Sequence, residues 1–162
     1  MSIFMKCEGI AGESSDKSHQ GWIDVDHIDW CVARRISANP GTRYNREVAN
    51  AEITDLMLAR RMDSATPLLF IKACCGKGQT ITIHFTKTGT GSGSDPFLEY
   101  VLHNALISDY YVSAQSGDVE RPTEELIISF QELEIKYVTY DNDGNVMSPV
   151  VVGFDTSTNT KK

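Results

Sequence analysis

Positive charge is scarce in this chain of 162 residues: 15 Lys and Arg stand against 22 Asp and Glu, a formal charge of −7. Nucleic-acid binders and polybasic membrane-surface proteins gain affinity by displacing counterions from an anionic partner, so this balance argues against both classes. Long apolar runs are missing as well. No stretch approaches the roughly 18 uncharged apolar residues of a membrane-spanning helix, and no membrane insertion is expected. The start of the chain has no basic segment leading into an apolar one, so no signal peptide is read. Cysteine is confined to Cys7, Cys31, Cys74 and Cys75. Two are adjacent and none lies in a CxxC, which indicates neither a zinc ribbon nor a disulfide framework. The expectation is four reduced thiols acting as small apolar side chains in a chain folded in the cytoplasm.

Signatures of chemistry are also lacking. Gly89, Gly91 and Gly93 form a GxGxG run, but Asp95-Pro96 and a strand pattern follow it. A phosphate cradle needs a helix N-terminus at that point. Asp141, Asn142, Asp143 and Gly144 resemble the start of a calcium loop, yet Val150 stands where the closing bidentate carboxylate belongs. His19, His27, His84 and His103 include no i, i+4 pair. His27, between Asp26 and Asp29, has no nucleophile signature beside it. No catalytic residue, metal site or cofactor is therefore expected, and a small hydrolase is the remote reading. Arg34-Arg35 and Arg60-Arg61 lie in strand patterns, where neighbours point to opposite faces; both doublets read as solvated side chains or intersubunit ion pairs.

What the chain does have is period-2 alternation. Ile81, Ile83 and Phe85 share one parity and Thr80, Thr82, His84 and Thr86 the other. In 22–36 the apolar parity slips between Val25 and Ile28, and in 126–137 between Phe130 and Leu133; each slip reads as a β-bulge. Further strands are expected at 3–7, 51–61, 97–113 and 146–154, with a tight hairpin turn at Asp143-Gly144. Alternation blurs at His103–Ala105. One helix is expected after Asp63 or Ser64, running through Leu68, Leu69, Ile71, Lys72 and Cys75 to a stop at Gly76. Residues 37–48 read as a long loop, 88–96 as a hairpin tip and 156–162 as a frayed tail. The fold class is mainly β, a barrel or a sandwich carrying one short helix, in a single domain over 1–155.

Four blocks, in order, carry a family resemblance. The first is Gly12, Glu13, Ser14, Asp16 and His19, a GES-x-D-x-x-H pattern before a strand that leads to Trp30. The second is Asp63-Ser64-Ala65-Thr66-Pro67-Leu68, closing at Cys75-Gly76-Lys77. The third runs from Val112-Ser113 through Gly117-Asp118 and Arg121-Pro122-Thr123-Glu124-Glu125 to Phe130 and Tyr137. The last is Pro149-Val150 to Gly153-Phe154. Together they resemble the hemolysin-coregulated protein (Hcp) family, the tube protein of type VI secretion. At 37–48 many members have a small-residue, glycine-rich loop, where this chain has Pro40, Arg43, Tyr44 and Arg46.

The resemblance implies a β-barrel of two curved antiparallel sheets with one helix, like phage tail-tube proteins. It implies homo-hexameric rings that stack into a tube, with sheath, spike and effector proteins as partners. It also implies a cytoplasmic stage followed by export without a signal peptide. A ring acting chiefly as an effector-binding chaperone is the alternative. A head-to-tail interface closes into a ring when its rotation permits. Asn39, Pro40, Arg43, Tyr44 and Arg46 are the expected subunit-interface arm. Asp29, opposite in facing to Ile28 and Trp30 on a strand that the resemblance places in the lumen wall, is the expected lumen residue.

Overall fold

The computed structural model describes residues 1–38, 46–89 and 93–162, with backbone alone for 37, 38 and 46–48. The order is β1 (Ser2–Cys7), β2 (Ile23–Val25), β3 (His27–Asp29), β4 (Val32–Ala33), β5 (Ile36–Ala38), β6 (Arg46–Val48), β7 (Glu52–Ile53) and β8 (Leu56–Arg61). Then come α1 (Thr66–Cys75), β9 (Gln79–Thr88), β10 (Ser94–Ser113), β11 (Thr123–Ser129), β12 (Glu132–Tyr137), β13 (Val150–Asp155) and β14 (Thr160–Lys161).

All the pairings are antiparallel. One sheet runs β2-β1-β9-β10-β12-β13-β14, and a second runs β10-β11-β8-β3. The long strand β10 serves both: its first half pairs with β9 and β12, and its second half with β11. Core residues come from both sheets, among them Met5, Ile81, Ile83 and Leu102 from the first and Leu58, Leu126 and Ile128 from the second. The barrel expectation is corrected in one respect. The hydrogen-bonded path among the described strands is open, and the sheets meet along bent chain segments.

Those bends are the parity slips of the sequence. At Asp26 the chain leaves β1, which pairs with β2, and joins β8, which pairs with β3. At Phe130–Gln131 it passes from the second sheet to the first. Beside that corner Asn104 has φ 50°, and its Nδ2 donates to Gln131 Oε1 at 3.0 Å. A side chain that must stay inside while its strand turns onto the other sheet has to change parity. What reads locally as a bulge is here a corner.

Helix α1 begins later than the capping signal implies. Asp63 Oδ1 accepts the Ala65 N–H at 2.8 Å and so fixes the turn before the helix, while Ala65 takes the cap position without a side-chain bond. Ala65 and Leu69 are buried, but Leu68, Phe70 and Ile71 are about half exposed. Trp30, the expected aromatic of the bent strand, is only half-buried and lies just past β3, its ring edge-on to Tyr100 at 5.8 Å. Only Cys7 among the thiols is interior, where burial pushes it up to about 12; Cys31, Cys74 and Cys75 are exposed.

Strand pairing extends into both ends of the expected 37–48 loop and into the expected 156–162 tail. Residues 32–38 and 46–53 form a β-ribbon: Val32 pairs with Ile53, Ala33 with Glu52, Ile36 with Val48 and Ala38 with Arg46. At the C-terminus Thr160 and Lys161 pair with Asp155 and Phe154, and Lys162 Nζ lies 2.9 Å from Glu132 Oε2. Asp155 Oδ1 accepts from Ser157 and Thr158 to make the turn between them. These polar residues tie down a segment that composition alone reads as frayed.

Candidate functional site: the signature loop and the uncovered surfaces

The GES-x-D-x-x-H block forms a loop that folds over the face of the first sheet turned away from the core. Gly12 is required by packing, because a Cβ there would run into the Trp22 carbonyl. Glu13 Oε1 accepts the Ser64 N–H at 3.1 Å, its Oε2 accepts from Arg121 Nη1 at 2.8 Å, and its own N–H donates to Asp63. The Arg121 hydrogen bond holds the Glu13 carboxyl below its ordinary range. Asp16 Oδ2 accepts from both the N–H and the Oγ of Ser94, which draws the loop to the start of β10. Chiefly through that Ser94 hydroxyl, and further through His19, the Asp16 carboxyl is held down to about 2.

His19 lies under this loop, 2% exposed, stacked on Phe4 with centroids 4.5 Å apart. Phe4 pairs across to His84 on β9. His84 therefore belongs to a face that is polar by parity yet covered in fact. Burial lowers its pKa, opposed by its hydrogen bond to Glu99.

A second buried polar cluster crosses the core. Arg60 follows Leu56 and Leu58 on the inward parity of β8, and Glu124 precedes Leu126 and Ile128 on the inward parity of β11. The two are register partners, and the Arg60 guanidinium bonds Glu124 and also Asp63, the latter at 2.5 Å. Tyr110 Oη and Thr66 Oγ1 donate to the same Glu124 carboxylate. Burial, then this carboxylate, pushes the Tyr110 phenol upward. This corrects the reading of Arg60 as solvated or intersubunit. The signal was the unbroken parity from Leu56 through Arg60 set against that from Glu124 through Ile128. Arg61, pointing the other way, does make an exposed pair with Asp26 at 3.1 Å.

The cleft of about 440 Å³ beside this cluster is lined by Glu13, Asp24, Asp26, Arg60, Arg61 and Arg121 among others. Its carboxylates outnumber its guanidiniums, so it offers no positive charge to an anion. Among the described residues no group of three or more His, Cys, Asp or Glu is placed to hold a metal. No helix among them is long and apolar enough to cross a membrane.

Three exposed surfaces among the described residues bear on assembly. The ribbon carries exposed Val32 and Ile36. On β13, Val150, Val151 and Val152 are exposed although consecutive strand residues face opposite ways. Along that stretch β12 occupies one edge, while β14 reaches only Phe154 and Asp155 on the other. The third surface is the outer side of α1. Asp29 is exposed on β3, opposite Met57, where only β8 pairs with that strand. Of the expected arm residues, Asn39, Pro40, Arg43 and Tyr44 lie outside the described residues. Arg46 opens β6, across from Ala38.

Fold and surfaces together define a small two-sheet β protein with one helix, a projecting ribbon and an uncovered apolar strand edge. The family described as type VI secretion system effector, Hcp, matches residues 4–137, and the chain belongs to it. It is 25% identical to Protein hcp1 of Pseudomonas aeruginosa over 144 residues, covering 89% of this chain and 87% of that one. Its fold is similar to a solved structure described as a type six secretion system protein, with a TM-score of 0.88 at 24% identity and 99% of each chain covered. It is likewise similar to Hcp1 from Salmonella typhimurium, with a TM-score of 0.75 at 21% identity over 99% of this chain and 98% of the other.

Proposed function

We propose that this chain is the ring and tube subunit of a type VI secretion system. Six copies close head to tail, and rings stack inside the sheath behind the spike. The rings are made in the cytoplasm and exported without a signal peptide, with effectors held in the lumen. Family membership supports the system, and two features of the described residues support the assembly. The chain leaves an apolar strand edge at Val150–Val152 and a two-stranded ribbon with no body of its own to lie on. A free flat edge templates further pairing, and an isolated two-stranded ribbon is marginal in water, so both features call for a covering partner. A neighbouring copy supplies that cover in a heterologous interface, which closes without leaving an edge over.

In this reading the stretch that holds Asn39, Pro40, Arg43, Tyr44 and Arg46 is the arm that reaches the next subunit or ring. Asp29, exposed at an outer strand, faces the lumen and meets cargo. The role is geometric and requires no reacting group. Light scattering coupled to size exclusion tests it: a mass near six chains at micromolar concentration is expected, and a persistent monomer refutes it.

A further inference from the structure

Two histidines from distant parts of the chain meet ring to ring between two carboxylates. His19 Nδ1 lies 2.9 Å from Asp16 Oδ1, His19 Nε2 lies 2.9 Å from His84 Nδ1, and His84 Nε2 lies 2.6 Å from Glu99 Oε2. The rings have little freedom to turn away. Phe4 stacks on His19 with an interplanar angle of 9°, and Trp22 packs against both imidazoles, 4.9 Å from His19 and 4.6 Å from His84.

Each of these three contacts needs one hydrogen. A carboxylate only accepts, so His19 must donate from Nδ1 and His84 from Nε2. The remaining nitrogens face each other, and one of them must donate as well. Three N–H hydrogens are thus required, whereas two neutral imidazoles carry one each. The row is one proton short of closing.

We propose that Asp16, His19, His84 and Glu99 form a proton-binding site, in which one proton beyond those of two neutral rings is shared by the imidazole pair and, beneath the signature loop, ties His84 of β9 to Glu99 of β10. The surrounding charges divide as follows. Asp16 from the loop and Glu99 from β10 favour the added positive charge by direct hydrogen bonds. Lys136 from β12 opposes it, 3.7 Å from the far oxygen of Glu99, and Lys6 from β1 opposes it from over the Trp22 ring at 5.7 Å. Burial of the rings opposes it too. The two carboxylates touch the rings and the two ammoniums do not, so the carboxylates outweigh the ammoniums, while burial moves uptake of the proton towards acid pH.

The geometry also says which contact opens when the proton leaves. Asp16 is fixed by Ser94 and by the loop's own N–H groups at Ser18 and His19. Glu99 has an alternative partner in Lys136. Deprotonation therefore keeps Asp16 on His19 and releases Glu99 from His84. The side-chain tie between β9 and β10 is lost, and the loop stays hinged at Ser94.

The test is a long-range proton–nitrogen spectrum of the histidine side chains in the full chain, recorded from pH 5 to 9. Three N–H hydrogens are expected on the pair at the acid end. On raising the pH, a single step should remove one of them from His84 Nε2 while His19 Nδ1 keeps its own. Two neutral rings with only two such hydrogens over the whole range would overturn the proposal. In Glu99→Gln the side-chain amide donates to His84 Nε2 and supplies the missing hydrogen, so the step should vanish with both rings neutral. A step that persists in that variant would overturn it equally.

Discussion

Arg60 and Asp16 show how polar residues fix this fold from inside. Arg60 is 1% exposed and its partner Glu124 is fully buried, so neither can turn to water when the other is removed. Arg60→Ala leaves two carboxylates facing an empty site and should cost about 3–5 kcal/mol in chemical denaturation. Arg61→Ala, next in sequence but in an exposed pair, should leave the midpoint close to that of the parent. Asp16 makes a different prediction, in pH. Its carboxyl is held near 2, below the ordinary value of 3.8, so it stabilises the folded state above about pH 4 and that contribution is lost as the pH falls towards 2. Asp16→Asn should melt lower than the parent at neutral pH, and the gap should close on acidification through that window, read by thermal denaturation at each pH.

At the scale of elements, the corners and the ribbon separate what alternation can and cannot express. Strand identity was legible because burial of one sheet face imposes period 2: Ile81 and Ile83 are fully buried in β9 as their parity requires. The corners were visible as parity slips but read as bulges, since a single strand's sequence does not say whether its partner changes. The ribbon was hidden because residues 36–38 and 46–48 pair only with each other, and nothing in their pattern contrasts an inside with an outside. Ala49 N–H already donates to Arg35 O at 3.0 Å across its base. Replacing residues 36–48 by an Asn-Gly turn should therefore keep the melting temperature of the subunit and lower the mass of its assembly in light scattering. Loss of folding in that variant would show that the ribbon belongs to the body.

For the whole molecule, the exposed valines of β13 carry the sharpest prediction. Val151 is 50% exposed on a strand whose neighbours Val150 and Val152 are exposed on the opposite face. A lysine there can reach water in the free subunit but would bury its charge in a covered seam. Val151→Lys should give a folded protein with an unchanged circular-dichroism melt and a mass shifted from rings to single chains.

Family and fold class were readable from the residues alone, because a signature block, turn glycines and period-2 burial are local in the chain. The tertiary structure decided what depends on partners far away in sequence. It set Arg60, inward by its parity, against Glu124, 64 residues later. It also brought His19 to His84 across 65 residues. Hydrogen bonds and ion pairs of that kind are formed only when two sheets and a loop close on one another, and no one-dimensional pattern records which side chains will be left facing each other when they do.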